Sequence, residues 1–104
     1  MAATAPPPEP PYYAVIFTSV RTADDNGYAD AAREILALAS QQPGFLGFES
    51  ARQEIGISVS YWESPEAIAA WKANTEHRAV QQRAADWYQT FRVRVCRVER
   101  EYGF

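Results

Sequence analysis

The segment Ser60-Tyr61-Trp62-Glu63-Ser64-Pro65-Glu66 decides the fold, because it turns a strand into a helix within a few residues. The apolar run that starts at Ile55 closes on two adjacent aromatics, Tyr61 and Trp62, as a strand does. Ser64 then stands in the N-cap position, where its hydroxyl accepts from an early helical N–H. Pro65 takes the first helical position, where a missing N–H costs nothing. Ile68 and Trp71 follow on the helix, and the only histidine of the chain, His77, lies six residues beyond Trp71. Large aromatics and one titratable ring thus gather around a single strand-to-helix junction.

Working outward from that junction gives the other elements. Tyr12–Val20 reads as a strand whose first six residues, Tyr-Tyr-Ala-Val-Ile-Phe, carry apolar groups on both sides. Thr22-Ala23-Asp24-Asp25 offers a helix N-cap with an acid three residues on. Tyr28, Ala31, Ala32, Ile35, Leu38 and Ala39 then form one apolar stripe at helical spacing. Pro43-Gly44 ends that helix. Phe45–Arg52 and Ile55–Glu63 read as the second and third strands, joined as an antiparallel hairpin by the short turn at Gln53-Glu54. The helix from Ser64 is predicted to stop near Ala73, with Thr75 capping a further helix to about Thr90. On it, Ala84 and Tyr88 lie within about 20° of His77 on the helical wheel. Phe91–Arg100, rich in valine, is the last predicted strand.

This β-α-β-β-α-β order predicts an α+β domain over 12–104. It is a ferredoxin-like antiparallel sheet with helices on one face and the second helical region broken in two. The first strand, together with Phe45, Leu46 and Phe48, supplies apolar groups to both faces of the sheet. The face without helices therefore needs a cover, since large exposed apolar patches are rare on soluble monomers. A homodimer packing two sheets face to face meets that need. Residues 1–11 hold five of the seven prolines and are predicted to form an extended or disordered arm.

Composition narrows the function classes. The 104 residues carry ten Lys+Arg against thirteen Asp+Glu, a formal charge of −3, so no overall field favours nucleic acid or an anionic membrane. The longest apolar run, Tyr12–Phe17, is far short of the roughly 20 residues a bilayer span needs. No secretory signal is legible at the N-terminus, and a lone cysteine, Cys96, excludes an internal disulfide. A cytoplasmic protein is expected. One histidine and one cysteine make no metal ligand set, and no glycine-rich phosphate loop is present.

With these residues in view, the series Pro43-Gly44-Phe45-Leu46-Gly47-Phe48-Glu49, Ser60-Tyr61-Trp62-Glu63-Ser64, Trp71 and Glu76-His77-Arg78 resembles the antibiotic biosynthesis monooxygenase superfamily. The resemblance spans about Tyr12 to Phe104 and implies a dimeric α+β barrel of ferredoxin-like protomers. One branch oxidises polyketide anthrones to quinones with O₂ and no cofactor, using a tryptophan, a tyrosine six residues later and an asparagine. Trp71 matches that tryptophan, His77 stands at the tyrosine position, and Ala67 replaces the asparagine. A second branch binds and degrades haem with an asparagine on the first strand, a tryptophan and a helical histidine. Here the first strand has no asparagine, and Gln81 stands about where that histidine falls.

The expected site therefore has His77 as the base and Trp71 as a stacking wall. Trp62, Tyr88, Phe17 and Thr18 line a pocket for a small, flat, apolar aromatic substrate. Unperturbed imidazole titrates near about 6.5, and a base there can generate a carbanion that reacts directly with O₂. In the alternative readings His77 ligates haem iron, or the dimer binds a ligand without catalysis.

Overall fold

The apolar run at Tyr12–Phe17 takes a central place in the sheet, paired along both of its edges. The computed structural model describes residues 9–77 and 83–104. Its elements are β1 (Tyr12–Arg21), α1 (Tyr28–Ala39), β2 (Phe45–Arg52), β3 (Gly56–Trp62), α2 (Pro65–His77), α3 (Ala84–Trp87) and β4 (Tyr88–Val98). The strand order is β2-β3-β1-β4 and each neighbouring pair is antiparallel. This is the ferredoxin-like α+β arrangement that the element order predicts.

Residues directly opposite in an antiparallel pair share a face, so the register sorts the side chains. Tyr13, Val15, Phe17 and Ser19 share one face with Trp62, Ser60, Ser58 and Gly56 of β3 and with Arg97, Val95, Val93 and Phe91 of β4. The helices pack here. Trp71 of α2 stacks on Trp62, and Tyr28 of α1 meets Tyr88 edge-on. Tyr12, Ala14, Ile16 and Thr18 point to the second face, beside Tyr61, Val59 and Ile57. Ile57 on that face is 46% exposed.

Three local predictions need correction. Helix α1 starts at Tyr28 rather than near Thr22, because Asn26 and Gly27 take left-handed backbone angles (φ 51° and 81°) that no helix continues through. Asp25 supplies the cap instead, accepting from the N–H groups of Gly27 and Ala29 at 3.1 and 3.3 Å. The Thr22 hydroxyl donates to the Asp86 carbonyl at 2.7 Å. Asn74-Thr75 does not break α2: the Thr75 hydroxyl donates back to the Lys72 carbonyl at 2.8 Å, and the helix runs on to His77. Tyr88 is not helical. It has extended angles (φ −126°, ψ 134°) and opens β4, where pairing with Arg21 outweighs continuation of the short α3. Residues 1–8 of the proline-rich arm, and Gln81, lie outside the described residues.

The α1–β2 turn depends on Gly44. Its φ is 86°, and a Cβ built there would stand 2.7 Å from the Ala67 Cβ on α2. Gly44→Ala is therefore expected to destabilise the fold by about 2–4 kcal/mol, summing left-handed strain and overpacking. Urea unfolding of the two proteins measures it, and a difference below half a kcal/mol would mean that the turn relaxes freely.

Candidate functional site

The helix-side face carries two aromatic groups. At one end Trp62 is fully buried, its indole N–H donating to the Ser60 hydroxyl at 2.9 Å. Trp71 stacks on it at 6.2 Å between centroids, and Phe45 meets it edge-on at 5.4 Å. At the other end Phe17 stacks on Phe91 at 5.5 Å and meets Tyr88 edge-on at 5.2 Å. Tyr28 closes this group against Tyr88 at 5.6 Å and Trp87 at 6.1 Å. Tyr13 pairs with Trp62, and Phe17 follows four residues on, so the groups lie about 13 Å apart along β1.

Between and beside them the sheet offers an apolar floor. Phe91, Val93 and Val95 share the face of Phe17 and Val15, yet are 51%, 50% and 56% exposed. The helices leave this strip of β4 uncovered. The result is an open, apolar-floored trough with an aromatic cluster toward each end.

Chain direction sets the path of the link from β3 to β4. Both β3 and β4 are antiparallel to β1 and so parallel to each other, and the link between them must return along the sheet. That link departs at Trp62 and re-enters at Tyr88. His77, the last residue of α2, lies about 9 Å beyond Trp71 along the helix axis. The His77 side chain is outside what the structure describes.

The structure thus groups Trp62 with Trp71 and Phe17 with Tyr88, and it separates Thr18 from all four. Consecutive strand residues point to opposite faces, so Thr18 cannot share the face of Phe17. It lines a groove of about 420 Å³ at the edge of the sheet with Ser19, Val20, Ile55, Phe91, Arg92 and Arg94. Sequence reading also passed over Tyr28, Phe91, Arg21 and Arg52. Cross-strand register brings Phe91, Arg21 and Arg52 to the Phe17 end, and the packing of α1 brings Tyr28. Arg52 lies opposite Gly56, which lies opposite Ser19, so its side chain crosses a strand that has no Cβ and donates to the Ser19 hydroxyl at 2.5 Å.

Burial holds the Tyr88 hydroxyl well above the ordinary tyrosine range, and a hydrogen bond with Tyr28 adds to the rise. On the second face, Tyr61 donates to Glu49 at 2.5 Å and Tyr12 donates to Glu101. The two rings meet edge-on at 5.8 Å. Both phenols are pushed up to about 12, first by burial and then by these carboxylates. Unfolded tyrosine ionises near about 10, so between about pH 10 and 12 the folded chain holds protons that the unfolded chain has lost. This contribution to stability is complete below about pH 10 and is lost as pH rises through about 12. Urea midpoints are expected to fall across that window, and less steeply in Tyr61→Phe. An unchanged slope in the variant would refute the assignment.

An antiparallel four-stranded sheet with helices on one face defines the class: a ferredoxin-like α+β protein. Residues 11–83 match the family model for antibiotic biosynthesis monooxygenase, and the chain belongs to that family. It is 50% identical over 100 residues to the YqjZ protein of Bacillus subtilis (strain 168), covering 93% of this chain and 88% of that one. The fold is similar to SnoaB of Streptomyces nogalater, a cofactor-independent oxygenase. The TM-score is 0.75 at 10% identity, covering 88% of this chain and 97% of SnoaB. It is also similar to a point mutant of MhuD with two manganese protoporphyrin IX bound per active site. There the TM-score is 0.67 at 24% identity, covering 88% of this chain and 99% of that one. No described helix is long and apolar enough to cross a membrane.

Proposed function

We propose that the protein is a cofactor-independent monooxygenase that oxidises a small, flat, aromatic or polyketide-like substrate with O₂ in the trough. The observation that carries this reading is the exposed apolar strip Phe91-Val93-Val95, which runs from the Phe17–Phe91 stack toward the Trp62–Trp71 stack. A flat ligand laid on that strip would remove apolar surface from water, with rings at either end to stack on. His77 acts as the base, taking a proton from an activated carbon or phenol of the substrate. The resulting carbanion adds to O₂; one oxygen atom stays in the product as a carbonyl and the other leaves as water. Trp71, Phe17 and Tyr88 hold the ring system, and Trp62, expected from the sequence to line the pocket, is fully buried and supports Trp71 from behind.

The same floor favours one other flat ligand. Haem, with His77 on iron, would supply oxygen activation when bound. His77 is the one histidine of the chain, and Cys96 lies opposite Ala14 on the second face, away from the trough. We further propose that this second face, with Ile16, Ile57 and Val59, packs on a second copy to form a homodimer, and that the protein works in the cytoplasm.

Oxygen uptake with a panel of anthrones and hydroquinones tests the leading reading, with equimolar consumption of O₂ and substrate expected. Titration with haemin tests the other, through a shifted Soret band lost in His77→Ala. Silence in both assays would leave a non-catalytic ligand-binding dimer.

A further inference from the structure

Among the described residues, two guanidinium groups near Tyr88, those of Arg21 and Arg52, have no carboxylate partner. Arg33 and Arg83 pair with Asp30 and Asp86. Among the described residues, Arg21 and Arg52 bond only to neutral acceptors. Arg21 donates through Nε to the Trp87 carbonyl at 2.8 Å and through Nη2 to the carbonyls of Asp24 and Asp25 at 3.3 and 3.4 Å. Its guanidinium carbon sits 3.5 Å from the centre of the Tyr28 ring. Arg52 donates to the hydroxyl and the carbonyl of Ser19, a residue only 3% exposed. The Asp25 carboxylate is turned away into the start of α1, on Gly27 and Ala29.

Both cations border the same rings. Tyr28, under Arg21, contacts Tyr88, which contacts Phe17 and Phe91. Ser19, under Arg52, is opposite Phe91. Both also act on the Tyr88 hydroxyl in the direction that positive charge requires, pulling against its rise. The backbone makes room for this: a Cβ at Gly56 would occupy the space of the Arg52 guanidinium. Arg21, half-buried over the Tyr28 ring, attracts an anion more strongly than the same cation in open water, and the exposed Arg52 adds a second positive charge nearby.

Resting on the trough reading above, we infer that Arg21 and Arg52 select an aromatic substrate that carries an anionic oxygen, an ionised carboxylate or phenolate, and hold that oxygen beside Tyr88. The rings then lie along Phe91, Val93 and Val95. In the proposed reaction the same cations stabilise the ionised substrate that meets O₂, so they favour the charge that the base step creates.

Fluorescence titration with two probes of one shape tests this: anthracene-2-carboxylate and the neutral 2-(hydroxymethyl)anthracene. The carboxylate is expected to bind about tenfold tighter, the scale of one charge-assisted hydrogen bond. Added salt should shrink that advantage. Arg21→Gln and Arg52→Gln should each remove most of the preference while leaving the neutral probe's affinity in place, which also reports that the variant is folded. Gly56→Ala, which displaces the Arg52 guanidinium without changing any charge, should act like Arg52→Gln. Equal binding of both probes to the native protein, or a preference that survives these changes, overturns the inference and leaves the trough standing. Binding of neither probe overturns both.

Discussion

Replacing His77 by alanine is expected to lower kcat for O₂-dependent turnover by about 10²–10⁴-fold, the usual contribution of a positioned general base. The expectation follows from where the chain is carried. Helix α2 begins beside the buried Trp62 and ends at His77, on the way to the Tyr88 end of the sheet. Trp71 fixes the middle of that helix by stacking on Trp62. No other side chain of this sequence is an imidazole, the group whose ordinary titration range lies near neutrality. The rising limb of kcat/KM against pH should therefore vanish in His77→Ala, while KM changes little because the rings still hold the substrate. Turnover unchanged in the variant would remove His77 from its proposed role and direct attention to the Tyr28–Tyr88 pair.

The largest expected effect on stability belongs to Trp62→Ala. Trp62 is 0% exposed, the largest fully buried side chain among the described residues, and its indole N–H is satisfied by Ser60. It joins β3 to α2 through Trp71 and to the start of β2 through Phe45. Truncation removes its buried apolar surface and opens a cavity that the neighbouring strands cannot fill, at a cost of about 3–5 kcal/mol. A domain of this size holds only about 5–15 kcal/mol in total. The melting temperature should fall by roughly 15–25 °C. Trp62→Phe, which keeps a ring and loses the hydrogen bond, should cost about 1–3 kcal/mol. A drop below 1 kcal/mol in the alanine variant would show that the sheet–helix contact is anchored elsewhere.

Local patterns suffice wherever a short stretch of chain settles its own conformation. Strand β2 is observed at the predicted bounds, Phe45–Arg52, and β3 within one residue at each end, Gly56–Trp62. Ser64 caps α2 as expected, its hydroxyl accepting from the Ala67 N–H at 3.1 Å. Each of these depends on a few neighbouring residues: a run of strand formers, a tight turn, a cap followed by proline. The errors came where two local preferences competed. Asp25 outbid Thr22 as the cap of α1 once Asn26-Gly27 had turned left-handed. Tyr88 left the helical pattern because β1 offered it a partner in Arg21.

The candidate site was legible only in part. Trp62 and Trp71 could be placed together because they flank one junction. Thr18 follows Phe17 at the end of β1, and neighbours in a strand point to opposite faces. Arg21, Arg52 and Tyr28 come from three separate elements, and no spacing within any one of them marks them as neighbours.

By itself, the sequence determined the order of elements, the antiparallel α+β class and the junction at Ser60–Glu66, because periodicity, capping and turn chemistry act over a few residues. Only the tertiary structure decided that Gly44 meets Ala67, that Arg52 crosses Gly56 to Ser19, and that the aromatics divide into two groups about 13 Å apart along β1. Those contacts follow from strand register and from the path of α2 back across the sheet. A register belongs to a pair of strands, and neither strand carries it alone.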